Sequence, residues 1–221
     1  MNASIILVRS WLPWFLRSAL FTIAIAAFPF FTSTVGATER IVFLGDSLTA
    51  GYGLDPDQAY PALIGERLEN AGLDAVVVNA GVSGDTSAGG LRRLQWSLGT
   101  GKTDILVVAL GGNDGLRGFP PGELQSNLTA IIAQARDTNP AIHILLAGMR
   151  MPASMGESYQ KAFAAVYPQV AEETGVTLIP FLLEGVAGDP KLNLPDRIHP
   201  NEEGQAVIAE TVWPFIKNTA R

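Results

Sequence analysis

The sequence predicts an α/β domain built on a buried parallel sheet with helices on both faces. Three observations carry this. From Arg40 onward, short apolar runs alternate with amphipathic stretches of helical period. The apolar runs are continuous rather than alternating, as strands covered on both faces require. The stretches between them are long enough for crossover helices, which parallel strands need.

In chain order, Arg40–Leu44 reads as a strand and Tyr60–Ala71 as a helix. Ala75-Val76-Val77-Val78-Asn79 is a second strand and Ser87–Leu98 a second helix. Ile105–Leu110 gives a third strand, followed by a helix over Pro121–Thr138. Ala141–Ala147 and Glu157–Thr174 repeat the pattern. A short strand at Val176–Ile179 and a closing helix at Asn201–Asn218 complete it. The punctuation agrees: Asp85-Thr86-Ser87 supplies capping oxygens, Gly72 and Gly175 stand where helices should stop, and Pro121 suits a first turn. The longest connection without obvious structure is Phe181–Pro200. Long ordered loops inside compact domains are often functional.

Composition narrows the function. Of 221 residues, 48% are apolar, enough for a sizeable core and too many for disorder. Without cysteine there is no disulfide, thiolate metal site or cysteine nucleophile. The net charge of −6, with no basic stripe, disfavours nucleic-acid binding. Arg92-Arg93 reads as a pair on a helix surface.

The first forty residues stand apart. Arg9 and Arg17 are the only charges before Glu39, Ser18–Phe31 is almost wholly apolar, and Val35-Gly36-Ala37 is a small-residue ending. This predicts a signal peptide, residues 1–37, cleaved after Ala37 to leave a domain of residues 38–221 that is periplasmic or secreted by a bacterium. The competing expectation is an uncleaved inner-membrane anchor over residues 18–38, since ~20 apolar residues span a bilayer.

Ser47 follows the break of an apolar strand at Gly45-Asp46. A serine hydroxyl needs a neighbouring base before it attacks. The chain has two histidines. His143 lies inside an apolar strand and is read as structural. His199 follows a polar loop, and by elimination it is the base. Asp196, three residues earlier, can reach the imidazole through a turn and hold its tautomer. Three donors suggest themselves for a tetrahedral oxyanion: the Ser47 N–H, the Gly84 N–H and the Asn113 side-chain amide, each just after a strand. Losing one such donor typically costs ~3–4 kcal/mol of barrier. Asp46, Asp85 and Asp114 are assigned support, because their spacing matches no metal loop. Neither metal nor cofactor is expected.

Gly-Asp-Ser-Leu at 45–48, Gly84, Gly-Gly-Asn-Asp at 111–114 and Asp-x-x-His at 196–199 resemble, in order, the four blocks of the SGNH (GDSL) hydrolases. Asn79–Ser87, Gly111–Phe119, Met149–Pro152 and Tyr159–Pro168 resemble the bacterial thioesterase I, lysophospholipase L1 and arylesterase branch. The resemblance covers residues 40 to about 217. It implies a flavodoxin-like three-layer α/β/α sandwich with a five-stranded parallel sheet and a shallow, open site. It implies Ser47 as nucleophile, Asp196 and His199 as its partners, and Gly84 and Asn113 beside the Ser47 amide as oxyanion donors. It further implies hydrolysis of acyl esters, namely aryl esters, lysophospholipids and thioesters. The acyl chain would lie against Leu116, Phe119 and, within Met149–Met155, Met151. A carbohydrate O-deacetylase of the same superfamily and an inactive acyl- or glycan-binding module remain alternatives. The expected partner is a small acyl ester or lipid, met by a monomer without stable membrane insertion after signal cleavage.

Overall fold

The computed structural model describes residues 38–220. The expected signal peptide, residues 1–37, and nearly all of the alternative anchor lie outside the described residues. The strands are β1 (Glu39–Gly45), β2 (Ala75–Gly81), β3 (Ile105–Ala109), β4 (His143–Ala147) and β5 (Thr177–Ile179). All pair in parallel, in the order β2-β1-β3-β4-β5. The long helices are α2 (Tyr60–Asn70), α3 (Ser87–Leu98), α5 (Pro121–Thr138), α6 (Glu157–Thr174) and α7 (Glu202–Lys217). Two short helices, α1 (Ser47–Ala50) and α4 (Gly112–Leu116), follow β1 and β3 directly.

The strand order explains the layers. The chain first moves outward from β1 to β2, then reverses and runs through β3, β4 and β5. Right-handed crossovers place helices on opposite faces when the direction of travel reverses. Accordingly α2 packs with α7, whereas α3 packs on α5 and α5 on α6. The result is the three-layer sandwich. Its reversal point lies between β1 and β3, where open α/β sheets bind ligands beyond the strand ends. Gly45 of β1 sits level with Gly81 and Ala109 in the sheet, so all three strands deliver their loops to one edge.

β1 and β3 are buried along Ile41–Leu44 and Ile105–Ala109, as their continuous apolar runs demand. β2 departs from that expectation. It is one of the two edge strands, and Val76 is 52% exposed. β4 starts two residues later than predicted, because the Asn139 carboxamide oxygen accepts the Ala141 N–H and its carbonyl accepts the Ile142 N–H, holding both in a turn. His143 is exposed at the start of β4, at the end of the sheet opposite Ser47. Of the expected caps, Thr86 accepts the Gly89 N–H and Pro121 opens α5; Asn201, expected inside the closing helix, instead caps it by accepting the Gly204 N–H.

Candidate active site

Ser47 is the first residue of α1 and lies just beyond β1. Asp46 caps that helix by accepting the Leu48 N–H at 3.0 Å. A helix this short is held by its neighbours rather than by propensity. It lies hard against the end of β2, where a Cβ on Gly81 would stand 2.3 Å from the Ala50 nitrogen. Below it, the Thr49 and Tyr60 hydroxyls are bonded at 2.9 Å in the buried core.

His199 and Asp196 come from the long loop before α7, which is closely stapled. Leu194 N–H donates to the His199 carbonyl at 2.7 Å, and Arg197 N–H to the Leu194 carbonyl at 2.9 Å. The Asn193 amide donates to the Val186 and Asp189 carbonyls, both at 2.7 Å. Arg197 sits at φ 60°, alone among described non-glycine residues in having positive φ. That costs of order 1 kcal/mol and persists only where the surroundings enforce it.

The turn brings Asp196 onto His199. One carboxylate oxygen accepts the Ile198 and His199 backbone N–H groups at 2.9 and 3.0 Å, and the other lies 2.7 Å from His199 Nδ1. Donation from the His199 backbone, then its ring, then the Ile198 N–H holds the Asp196 carboxyl down at about 2, so it is ionised at neutral pH. With an anion at Nδ1, Nε2 is the free lone pair. It lies 3.0 Å from Ser47 Oγ. Three residues read from sequence as one set, across 152 positions, thus form a continuous chain of hydrogen-bonding atoms.

Gly84 has φ 81°, in a turn closed by Asp85 N–H on the Val82 carbonyl, and a Cβ there would meet only open space. Asn113 stands on α4 rather than in a simple turn. Its amide donates to the Asp85 carbonyl at 3.0 Å and to Asp46 Oδ2 at 3.3 Å. Burial pushes the Asp46 carboxyl up to about 6, against the Leu48 N–H, the His199 ring and the Asn113 amide; nearby Asp114 adds to the rise. Asp114 is also buried, accepting the Ser87 hydroxyl at 2.5 Å and the Ser87 N–H at 2.8 Å. All three aspartates therefore brace loops.

Leu116, at the end of α4, and Phe119, on the loop that follows, are exposed, and Arg117 donates to the Gly84 carbonyl at 2.9 Å. Met151 is placed differently: it is buried, with its sulfur packed where a Cβ on Gly115 would lie. Tyr52 and Gln205 were missed from sequence. The Tyr52 ring lies 4.4 Å from the His199 ring, tilted by 37°. Gln205, buried on α7, accepts the Tyr60 N–H at 2.9 Å and donates to the Leu48 carbonyl at 3.2 Å. It ties the helix that follows His199 to the helix that carries Ser47. Their signals were present: an aromatic five residues after the serine, and a polar residue on an apolar helix face. Neither signal names a partner. Ser47 is buried, His199 half-buried and Asp196 exposed. A half-open pocket of about 240 Å³ lies at the far end of the sheet, between Leu98, Thr103, Asn139 and Ile142.

The chain belongs to the GDSL-like lipase/acylhydrolase family, whose model matches residues 43–207. It is 44% identical over 181 residues to an esterase, TesA, of Pseudomonas aeruginosa, covering 82% of this chain and 89% of the relative. It is 40% identical over 179 residues to thioesterase 1/protease 1/lysophospholipase L1 of Escherichia coli K12, covering 81% and 84%. A crystal structure of TesA superposes with a TM-score of 0.78 at 43% identity, covering 82% of this chain and 99% of the other.

Proposed function

We propose that the protein is a serine esterase that forms its acyl-enzyme on Ser47. The observation that carries the reading is the unbroken series Asp196–His199–Ser47, at 2.7 and 3.0 Å. His199 Nε2 takes the Ser47 proton as Oγ attacks the ester carbonyl. Asp196 stabilises the imidazolium that results. The Ser47 and Gly84 N–H groups receive the oxyanion, joined by the Asn113 N–H that gives up its long 3.3 Å donation to Asp46. Collapse of the intermediate expels the alcohol, which takes its proton from His199. Water then repeats the sequence on the acyl-enzyme and frees the carboxylic acid.

Acyl esters, including aryl esters and lysophospholipids, are the substrate class we favour, with thioesters accepted through the same tetrahedral chemistry. The exposed apolar side chains support this. Tyr52, Val82, Leu116, Phe119 and Ile198 all lie beyond the ends of the strands, on the side of the sheet that carries Ser47, Leu116 at the end of α4 and the others on loops. We place the protein outside the inner membrane, cleaved after Ala37. No helix among the described residues is long and apolar enough to cross a membrane. Intact-mass measurement of the exported protein tests the cleavage, and a mass that retains residues 1–37 refutes it.

The experiment is hydrolysis of p-nitrophenyl esters, from acetate to palmitate, by residues 38–221 with Ser47→Ala alongside. Turnover that reaches medium chains and vanishes in Ser47→Ala supports the reading. Turnover confined to acetate favours the O-deacetylase. Turnover indifferent to Ser47 refutes the acyl-enzyme, and no turnover on any ester favours the binding module.

A further inference from the structure

Arg92 and Arg93 are adjacent on α3, and their surroundings are opposite. Arg92 is exposed, as the sequence suggests. Arg93 is not part of a surface pair. Its side chain is only 17% exposed, and its guanidinium makes four hydrogen bonds. Nε donates to Asp85 Oδ2 at 2.6 Å, and Nη2 donates to the Gly45 carbonyl at 2.8 Å. Nη1 donates to the Ala80 carbonyl at 2.7 Å and to the Ser97 hydroxyl at 2.9 Å.

These acceptors belong to the segments that carry the oxyanion donors. Gly45 ends β1, two residues before Ser47. Ala80 is near the end of β2, on the approach to Gly84. Asp85 follows Gly84, and its own carbonyl accepts the Asn113 amide at 3.0 Å. The Gly45 carbonyl also accepts the Val82 N–H at 3.0 Å, so the Gly84 loop hangs from the strand that delivers the serine. One planar cation therefore touches two of the three segments directly and reaches the third through Asp85.

We propose that Arg93 is a positioning residue that sets the mutual placement of the Ser47 N–H, the Gly84 N–H and the Asn113 amide. The inference rests on the esterase reading above. Oxyanion stabilisation depends on donors fixed in advance, and small misplacements of such groups are expensive in rate. A guanidinium presents a rigid fork of five donors, whereas lysine presents one point charge on a flexible stem. Stability alone is a weak reason for burying an Arg–Asp pair, because apolar replacements of similar volume often do as well.

The test compares Arg93→Met and Arg93→Lys with Arg92→Met, using p-nitrophenyl butyrate and folded protein verified by melting. Arg93→Met should lower kcat by roughly 10²-fold, about the loss of one oxyanion donor, with KM little changed. Arg93→Lys should recover only a small part of the loss, and Arg92→Met should match wild type. In Arg93→Ala, millimolar guanidinium should raise kcat where equal sodium chloride does not. A folded Arg93→Met with kcat near wild type, or with the loss confined to KM, overturns the proposal. If Arg93→Met does not fold, Asp85→Asn decides, since it breaks the ion pair at constant volume. A kcat at least roughly tenfold lower supports the proposal, and an unchanged kcat overturns it. Ser47→Ala separates the two levels. If Ser47→Ala retains turnover, the esterase reading itself fails; if it is inactive while the Arg93 variants are unaffected, only the positioning role fails.

Discussion

Asp46 is the most exacting place to test the physical account of the site. Its carboxyl is 2% exposed and raised from 3.8 to about 6, chiefly by burial. Between those values the folded protein holds a proton that the unfolded chain has released. Stability must then fall as pH rises through that window, and level off above it. A shift of about two units at 1.36 kcal/mol each makes the effect about 3 kcal/mol. Asp46→Asn removes the titration yet keeps an oxygen for the Leu48 N–H, and asparagine caps helices as well as aspartate does. Whatever the new amide costs against the Asn113 amide is the same at every pH. The stability difference between variant and wild type should therefore move in the variant's favour by about 2.5 kcal/mol from pH 4 to pH 7, most of the full effect. For a domain of this size that corresponds to roughly 5–10 °C in Tm. Urea unfolding of both proteins at pH 4, 5, 6 and 7 measures it, with His199 and Asp114 as the other ionisable neighbours in common. Curves that stay parallel across the series, or a difference that moves in the wild type's favour as pH rises, would refute the assignment of a buried, proton-holding carboxyl. Activity should fall in the same variant, because Asn113 loses its anionic acceptor. Asp46 would then be a residue that lowers stability at neutral pH and serves the site.

Three further outcomes are expected. Tyr52→Leu removes the ring beside the His199 imidazole and with it about 1 kcal/mol of support for the imidazolium, so kcat should fall roughly fivefold while Tyr52→Phe stays near wild type. Gln205→Leu strands the Tyr60 N–H and the Leu48 carbonyl in the core; denaturant unfolding should show a loss of about 2–4 kcal/mol, and kcat should drop because α1 and α7 are no longer tied. Leu116→Ala with Phe119→Ala should raise KM for octanoate several-fold more than for acetate, because each methylene buried against them is worth up to ~0.8 kcal/mol; equal changes for both esters would remove these side chains from the acyl path.

The sequence discloses some parts of this molecule and withholds others for a physical reason. Layer order follows from strand–helix alternation and crossover handedness, both properties of the local pattern. The Asp196–His199 contact is legible because it is a turn of four residues. Ser47 is legible because a strand stops in front of it, and His199 because the only rival histidine lies in a strand. Edge exposure of β2 is not legible, since Val76-Val77-Val78 has the same composition whether one neighbour or two lie beside it. Arg93 fails for a related reason. Leu91, Leu94 and Leu98 define the apolar stripe of α3, and a charge off that stripe reads as solvated. The missed signal was the company on its own face: Gly89 four residues before it and Ser97 four after, side chains small enough to admit a folded-in guanidinium.

The same distinction separates the residues that react from those that place them. Asp196 and His199 are joined by a local turn, and a motif records them. Arg93 reaches Gly45 over 48 positions and Gln205 reaches Leu48 over 157, and only the folded chain brings those atoms together. Placement by such long-range bonds has a consequence. Ser47 sits on a four-residue helix and His199 on a loop, and neither element would hold its geometry alone. The Ser47–His199 distance is set from outside, by Gln205 below and by the stapled turn around Asn193. Variants at those supports should lose rate without touching substrate, and the chemistry should prove more sensitive to them than the exposed rim residues around the site.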